Sequence, residues 1–375
     1  MKALGIIQAD AYHVDMDQLL ENRTLASVPF GGRFRNIDFH ISNMSNAGMK
    51  NIAILSKQKY RSLMSHVRGG GDWDLDRKQG GLVVLPPFSS MRFSNHLESR
   101  IEELQTNIEY ISEAEEPYIV LTGCNYIANL NLTAALEYHR NSGAKATALY
   151  VKNPVNKRYD LTTTEIIFDE NKIVKEIKTT EKMKKPEKDI NVLLGAYIFN
   201  KSDFVDLLED SIENGAVSLR LGILAPLIPG GNVAAYEVTE RLTFIEDVSA
   251  YLDANLSLLD HDIRNALFDS PNGPIITRVN DSAPARYGEN AKVRNSIIAD
   301  DTMINGIVEN SVIFRGVYVK EGAVIKNSVI MQDSVVGEDA QLNYAVLDKR
   351  VIINDNRMLS GYITHPFFVG TDSVI

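Results

Sequence analysis

Two arginines in one short segment are the clearest candidates for ligand-binding chemistry in this chain. Arg33 and Arg35 lie in SVPFGGRFRNIDFHISN, residues 27–43. A guanidinium group donates two parallel hydrogen bonds from a planar fork, a geometry that suits phosphate and sulfate. The pair predicts a small-anion site, which Lys349 and Arg350 are candidates to complete. The alternative is that these side chains form salt bridges at a domain junction or lie in solvent.

The loop after the first apolar run has the opposite charge. Asp10 and Asp15 follow the apolar residues 3–7, and two carboxylates would repel a polyphosphate at close range. An alternative interpretation gives Tyr12 and His13 of this loop a different ligand, although exposed loop residues usually have no such role.

Composition excludes several classes of function. The formal charge is −10 and the pI is about 5.3, so a basic face for nucleic acid or an anionic membrane is not expected. Cys124 is the single cysteine, which excludes an internal disulfide and a cysteine-rich metal cluster. Its thiol is either a reactive nucleophile or, more commonly at a strand end, a small buried apolar group. Without a recognisable signal peptide or membrane span, the cytoplasm is the expected location.

Residues 1–274 have the alternating pattern of an α/β domain. Short apolar runs at 3–7, 51–55, 118–122 and 146–151 are separated by amphipathic stretches such as 100–111 and 132–140. This pattern predicts strands and crossover helices around a mainly parallel sheet. One further helix is expected over 243–260, followed by a Pro/Gly-rich linker at 269–278.

Residues 275–375 are repetitive. The word Asn-Ser-apolar-apolar begins at Asn295, Asn310 and Asn327, with glycines between the copies. β-branched pairs separated by turn residues at multiples of roughly six predict hexapeptide repeats that stack into a parallel β-helix. An antiparallel sandwich is the alternative, but it gives no reason for the same word to recur.

Several of these words together carry a family resemblance. Residues 27–43, 71–77, 195–200 and 247–255, together with the β-helix, resemble glucose-1-phosphate adenylyltransferase (ADP-glucose pyrophosphorylase) of bacterial glycogen synthesis. The resemblance implies a glycosyltransferase-A-like nucleotidyltransferase domain over 1–274 and a left-handed β-helix over 275–375 that supports oligomerisation.

The family's phosphate-binding residues are missing here. Its glycine-rich loop with an arginine corresponds to residues 8–15, where the arginine position falls near Val14 and no glycine remains. Its Arg-Ala-Lys-Pro corresponds to residues 23–26, so Arg23 is kept and the lysine becomes Leu25. The family's Gly-Thr-Ala before a helix corresponds to Ser99, Arg100 and Ile101.

The family's metal site is also incomplete. A magnesium-binding aspartate in Gly-Asp-His corresponds to Cys124, whereas the second metal aspartate is matched by Asp247. The lysine that holds the sugar phosphate is expected near Lys178, after a strand over 172–177, with Lys182 as an alternative. The resemblance leaves four residues for residual substrate binding, which are Arg23, Gly195, Tyr197 and Asp247.

Fold residues persist while chemistry residues are lost, which resembles the noncatalytic, GlgD-type subunits of this family. The first hypothesis is a regulatory subunit that binds no cofactor itself, in a heterotetramer whose catalytic paralogue uses Mg²⁺ and ATP. The alternatives are an active nucleotidyltransferase with a rearranged site and a homomeric sugar-phosphate sensor. A phosphate or sugar-phosphate effector is expected at Arg35, with Arg33 and Arg350 as further candidates. Apolar residues of the last coil are expected to need a cap or a neighbouring subunit, namely Leu359, Ile363, Phe367, Phe368 and Val369.

Overall fold

The computed structural model describes residues 2–10, 14–16, 18–85, 101–154, 157–181 and 188–375. The predictions for Tyr12, His13, Ser99, Arg100 and Lys182 fall outside these residues.

The first part of the chain alternates strands and helices. Its strands are β1 (Ala3–Gln8), β2 (Pro29–Phe30), β3 (Phe34–Arg35), β4 (Asn51–Leu55), β5 (Gly81–Leu85), β6 (Tyr118–Gly123), β7 (Tyr126–Ala128), β8 (Ala146–Lys152), β9 (Thr163–Phe168), β10 (Val174–Thr180), β11 (Asn191–Asn200), β12 (Val233–Glu237) and β13 (Leu242–Phe244). Its helices are α1 (Asn36–Asn46), α2 (Arg61–Val67), α3 (Glu102–Thr106), α4 (Ile108–Glu113), α5 (Leu132–Ser142), α6 (Lys201–Glu213), α7 (Val248–Ser257) and α8 (His261–Phe268). None of the helices in the described ranges is long and apolar enough to cross a membrane.

A mixed sheet with a parallel centre forms the core of this domain. Among the described residues, nine strands share the sheet, in the order β10-β9-β11-β6-β1-β4-β5, with β8 pairing with β11 and β12. β1 runs parallel to both β4 and β6, and all six of its residues are buried. Helices cover both faces of such a strand, so its residues before Gln8 lack the alternation of polar and apolar side chains. The carboxyl ends of β1, β4 and β6 therefore meet at one edge of the sheet.

The C-terminal part forms the predicted stack of short parallel strands. Its strands are β14 (Arg286–Tyr287), β15 (Lys292–Arg294), β16 (Ile297–Ile298), β17 (Met303–Ile304), β18 (Ile307–Glu309), β19 (Val312–Ile313), β20 (Tyr318–Val319), β21 (Val324–Lys326), β22 (Val329–Ile330), β23 (Val335–Val336), β24 (Gln341–Asn343), β25 (Ala345–Leu347), β26 (Ile352–Ile353), β27 (Met358–Ser360) and β28 (Phe367–Val369). Within residues 286–375, which are described throughout, they form three parallel five-stranded sheets. This architecture agrees with the expected left-handed β-helix. The expected boundary at 274/275 lies between the end of α8 and the start of β14.

Each residue of the repeated word has a structural task. The asparagines Asn295, Asn310 and Asn327 turn the chain with positive φ values of 43°, 47° and 49°, which asparagine tolerates better than most residues. The serine hydroxyls form a ladder between coils: Ser296 Oγ accepts from the Ser311 amide at 3.2 Å, and Ser311 Oγ accepts from the Ser328 amide at 3.1 Å. The word recurs because each copy bonds to the next.

The two apolar residues that end the word face opposite sides. Ile313 and Ile330 point into the β-helix, whereas Val312 and Val329 belong to the apolar cluster that includes Leu252 of α7. Successive residues of a strand point to opposite faces, so a sheet buried on both sides needs two apolar residues in a row. The β-helix therefore packs against the α/β domain through one of its three sheets.

One boundary differs from the predictions. The helix expected over 243–260 is strand β13 followed by α7, because Thr243 pairs with β7 and the Asp247 side chain accepts a hydrogen bond from the Ala250 amide at 2.6 Å, which begins the helix. The Pro/Gly-rich segment 269–278 is fixed to the first domain: the amide nitrogen of Asn129 donates to the Gly273 carbonyl at 2.9 Å, and the indole of Trp73 donates to the Ile276 carbonyl at 3.2 Å.

Candidate functional site

The carboxyl edge of the parallel strands is where the sequence predicted a degenerate phosphate loop. Asp10 follows β1 there, and its carboxylate accepts a hydrogen bond from the Lys57 backbone amide at 2.5 Å. Burial raises the pKa of Asp10 to about 6, against the lowering effect of that hydrogen bond and of the Lys57 charge. Val14 is half-buried and packs against the apolar core. Neither side chain is a donor to phosphate.

Apolar side chains occupy two further positions that the resemblance assigned to phosphate or nucleotide binding. Leu25 begins a short 3₁₀ turn (Leu25–Ser27) and is buried in the core of the first domain. Ile101 caps the start of α3 and is fully buried. Buried apolar surroundings favour neither a phosphate nor a charged nucleotide.

Internal polar contacts fill the rest of this edge. Lys57 Nζ lies 3.3 Å from a carboxylate oxygen of Glu102, and the buried Gln8 amide donates to Glu103 at 3.5 Å. The charges that line the strand ends thus have partners within the protein.

The expected metal position has an arginine in contact with its remaining carboxylate. Arg158 pairs with Asp247 through a short charge-assisted hydrogen bond, while the other carboxylate oxygen of Asp247 caps α7. Arg158 also pairs with Asp160, and its pKa is raised by these carboxylates. Cys124 is buried, and its carbonyl accepts a hydrogen bond from the Asn36 side chain at 2.5 Å.

A buried ion pair stands beside the Arg158–Asp247 pair. Lys157 and Glu246 are in close contact, with 3% and 5% of their side chains exposed. Burial raises the pKa of Glu246, and the Lys157 charge opposes that effect. Among the described residues, no group of three or more histidine, cysteine or acidic side chains is placed to hold a metal ion. With Asp247 neutralised by a guanidinium and Cys124 in place of its partner, the residues present do not fit Mg²⁺.

The predicted substrate-binding residues on β11 lie near this edge. Gly195 has a positive φ of 78° where the register of β11 with β8 shifts, and this bulge requires a residue that accepts left-handed geometry. Tyr197 is buried against Phe199, with ring centroids 6.1 Å apart. Lys178 is exposed within β10, which spans Val174–Thr180 rather than the predicted 172–177.

Arg23 contacts the β-helix. Its two terminal nitrogens lie 2.8 and 2.9 Å from the two carboxylate oxygens of Asp348, and both side chains are buried. The structure therefore gives this arginine an interdomain ion pair, and residual substrate binding by Arg23 remains a prediction that would require the pair to open.

The three arginines predicted to bind an anion have different surroundings. Arg35 donates to the carbonyl and hydroxyl of Ser62 at 2.7 and 3.0 Å. Arg33 is exposed and stacks on Phe34, with the guanidinium carbon 4.9 Å from the ring centre. Arg350 is exposed and makes two hydrogen bonds to Asp372.

Arg35 has cationic neighbours that the sequence did not associate with one another. The pKa of Arg35 is lowered to about 10. Burial is the largest cause, and the charges of Arg23, Arg278 and Arg315 also lower the pKa, whereas the charge of Asp38 raises it. Burial, followed by the charges of Arg35 and Arg23, lowers the pKa of Lys349 to about 7. We refer to the five basic residues together as the junction cluster: Arg23, Arg35, Arg278, Arg315 and Lys349.

Sequence reasoning missed Arg278 and Arg315 in this cluster, as well as Arg158 at the metal position. A usable signal existed for Arg315, because it directly follows Phe314, which belongs to the apolar cluster shared with the first domain. Arg278 and Arg158 belong to no motif, and only the folded chain brings them to these positions.

The two parts of the chain match two different protein families. A family described as "Nucleotidyl transferase" matches residues 22–237, and one described as "GlmU-like, C-terminal hexapeptide" matches residues 282–361.

Relatives with two different names resemble the chain over most of its length. "Glucose-1-phosphate adenylyltransferase" of Clostridium botulinum (strain Alaska E43 / Type E3) is 33% identical over 304 residues, which are 80% of this chain and 76% of the relative. "Glycogen biosynthesis protein GlgD" of Geobacillus stearothermophilus is 30% identical over 86% of this chain and 82% of its own. The protein of the same name from Bacillus subtilis (strain 168) is 28% identical over 85% of this chain and 81% of its own.

Proposed function

The chain belongs to the nucleotidyl transferase family, among the glucose-1-phosphate adenylyltransferases and GlgD proteins, and we propose that it is a noncatalytic, regulatory subunit of ADP-glucose pyrophosphorylase in glycogen biosynthesis. Its partner would be a catalytic paralogue that holds Mg²⁺ and ATP, in a cytoplasmic heterotetramer.

The pairing of Arg158 with Asp247 is the observation that carries this proposal. Adenylyl transfer needs positive charge to stabilise a transferring phosphoryl group, and a carboxylate contributes by holding Mg²⁺. Here the carboxylate of Asp247 is bound by a guanidinium and by the start of α7. The apolar Leu25 and the internally bonded Asp10 supply no donors to a triphosphate.

If the chain is noncatalytic, the purified protein with ATP, Mg²⁺ and glucose-1-phosphate should release almost no pyrophosphate. The alternative, an active enzyme with a rearranged site, predicts that the isolated chain releases it. The same protein mixed with a catalytic paralogue should raise the paralogue's turnover or change its response to effectors. Turnover by the isolated chain comparable to that of the paralogue would refute the noncatalytic assignment, whereas unchanged kinetics on mixing would refute the regulatory one.

The junction cluster supports an anionic effector as part of this role. Its five basic residues come from both domains. The carboxylate of Asp348 is bonded to Arg23, and both of its oxygens take part in that contact. Phosphate or a sugar phosphate is the ligand class that such an arrangement favours. Arg35 and Lys349 are the residues expected to contact it, with Arg33 and Arg350 directed elsewhere.

Such a ligand would contact residues from both domains, so its binding would depend on their relative position. A regulatory subunit needs only a differential interaction with two conformations of its partner, typically about 1–3 kcal/mol. The homomeric sensor is kept as the alternative, and it differs by forming no complex with the catalytic paralogue.

The final coil offers a surface for assembly. Leu359 and Val369 are buried inside the β-helix, but Tyr362, Ile363 and Phe367 have 75%, 46% and 39% of their surface exposed. The predicted need for a neighbour therefore concerns Ile363 and Phe367, together with Tyr362, and not the whole coil.

A further inference from the structure

The C-terminal half of α6 carries negative charge that the described part of the chain does not compensate. Four exposed acidic side chains recur there at intervals of three or four residues: Asp206, Glu209, Asp210 and Glu213. Residues at this spacing lie on one face of a helix. Among the described residues, the ion pair that α6 forms is that of Asp203 with Lys145, at the start of the helix. The acidic face is therefore available to a partner of opposite charge.

This acidic face does not help α6 to fold. Like charges four residues apart, such as Glu209 and Glu213, repel each other along a helix. The last turn has no basic residue, so its carboxylates lie at the negative end of the helix dipole. A cationic surface placed against α6 would relieve both repulsions.

Three exposed apolar side chains lie beside the acidic face. They have 45%, 45% and 54% of their surface exposed and are, in that order, Ile212, Val217 and Leu221. The chain after α6 folds back closely on the helix end, since a Cβ at Gly222 would lie 2.8 Å from the Ala216 Cβ and 3.4 Å from the Ser211 Cβ. Each of these three residues adjoins one of the exposed apolar residues, which places the three in one region. We call the four acidic and three apolar residues the α6 surface.

The first coil of the β-helix has a matching surface of opposite charge. Arg286 of β14 and Lys292 and Arg294 of β15 are exposed, and Tyr287 and Val293 beside them have 53% and 37% of their surface exposed. We call these five residues the first-coil surface. Within the described residues, the basic side chains of the β-helix that form ion pairs are others, namely Lys320, Lys326 and Arg350.

The first-coil surface lies at an open end of the β-helix. β14 and β15 each stand first in their sheets and pair on one side only, with β17 and β18. No further coil of the described chain covers this end. One chain therefore carries an acidic and a basic surface, each with exposed apolar side chains, and the two lie on different domains.

We propose that the α6 surface of one chain docks on the first-coil surface of a second copy. Two such contacts related by a twofold axis close the assembly as a dimer, because each chain supplies one surface of each kind to its partner. The opposite charges fix the orientation of the two chains, and the apolar side chains between them lose their contact with water. This dimer concerns the chain with itself, so its failure would leave the proposed noncatalytic role intact, and the reverse also holds.

The test is sedimentation velocity of the full-length chain at micromolar concentrations. Glu209→Lys/Glu213→Lys reverses charge on the α6 surface, and Lys292→Glu/Arg294→Glu reverses it on the first-coil surface. Each variant alone should dimerise roughly tenfold or more weakly than the parent, because like charges then meet in both contacts. An equal mixture of the two variants should recover the dimer, since both contacts of a mixed pair then join opposite charges.

Recovery on mixing also shows that both variants are folded. Glu170→Lys/Glu176→Lys makes the same charge change on exposed residues of the β9–β10 hairpin, and this control should dimerise like the parent. A parent chain that stays monomeric, a mixture that does not recover the dimer, or a control as weak as the α6 variant would overturn the proposal. Assemblies that grow beyond two copies with concentration would overturn the twofold arrangement.

Discussion

Arg23 and Asp348 are joined by two hydrogen bonds of 2.8 and 2.9 Å across the boundary between the α/β domain and the β-helix, although 325 residues separate them in the chain. The pair is buried and is flanked by apolar packing between α7 and the β-helix sheet that contains Val329. The resemblance assigned Arg23 to substrate. In the fold it connects the two domains and adjoins Lys349 of the junction cluster.

Replacing Arg23 alone should destabilise the protein strongly. Arg23→Met leaves the Asp348 carboxylate buried without its cation, which typically costs about 3–5 kcal/mol. Denaturant unfolding of the variant should show this loss. The double variant Arg23→Met/Asp348→Leu should recover most of it, because neither charge is then buried. A loss below about 1 kcal/mol for the single variant would contradict the ion pair.

Asp10→Asn should make the protein more stable than the parent, and this difference in free energy of unfolding should grow as the pH rises. The pKa of Asp10 is about 6 in the folded protein and 3.8 as its ordinary value. Between these pH values the folded state holds more protons than the unfolded state, so this group lowers the free energy of unfolding as pH increases. Asparagine removes the titration and keeps an oxygen acceptor for the Lys57 amide. The difference in free energy of unfolding between variant and parent should grow by roughly 1–3 kcal/mol from pH 4 to pH 7.

Taking the difference between variant and parent removes the contributions of other groups that titrate in both proteins. His40, for example, is buried and its pKa is lowered to about 4, so it makes the protein less stable as the pH falls below its ordinary value of 6.5. A variant-minus-parent difference that stays constant with pH would contradict the raised pKa of Asp10.

Cys124→Asp should not restore adenylyl transfer. The new carboxylate would lie at the family's metal position, but Asp247 would still be bound by Arg158 and the phosphate loop would still carry Asp10. Pyrophosphate release should remain at the background of the parent chain, because groups that act as a unit cannot be replaced singly. Cys124→Asp/Arg158→Ala is the matched variant that frees Asp247. An increase of orders of magnitude in the single variant would refute the argument.

Arg35→Gln should weaken stabilisation by phosphate or sulfate, whereas Arg33→Gln should not. An anion that binds the folded state raises the melting temperature as the anion concentration increases. Arg35 lies in the junction cluster, whereas Arg33 is exposed and stacks on Phe34. Melting curves with sodium phosphate or sulfate, compared with sodium chloride of equal ionic strength, should lose at least half of the specific shift in Arg35→Gln. Equal losses in the two variants would assign the effect to general screening.

Tyr362→Ser/Phe367→Ser should weaken the mixed oligomer with the catalytic paralogue. Both side chains are exposed on the final coil, and their burial at an interface would contribute roughly 1–3 kcal/mol each. Size-exclusion chromatography at micromolar concentration should show less of the mixed species. Tyr318→Ser, which removes another exposed tyrosine of the β-helix, is the control. A mixed species that is unaffected by the coil variant but lost in the control would place the interface elsewhere.

Several features of the fold follow from local sequence patterns. The words at Asn295, Asn310 and Asn327 predict the stacked coils because the same turn, serine ladder and apolar pair must be rebuilt in each coil. The buried run of β1 likewise predicts a strand covered on both faces. The resemblance also predicts from the sequence that Leu25 stands at a lysine position and Cys124 at an aspartate position of the family, since each is a change of residue type at one position.

The partners of charged side chains could not be recognised in the same way. Arg158 contacts Asp247 across 89 residues, and Arg23 contacts Asp348 across 325. An arginine has the same local signature whether it binds phosphate, lies in solvent or pairs with a distant carboxylate, because its charge and length suit all three. By itself the sequence determined the family, the alternating α/β pattern of the first domain and the hexapeptide repeat of the second. Only the tertiary structure decided which cation pairs with Asp247 and which cations gather at the domain junction, since those contacts depend on the packing of α7 and the β-helix.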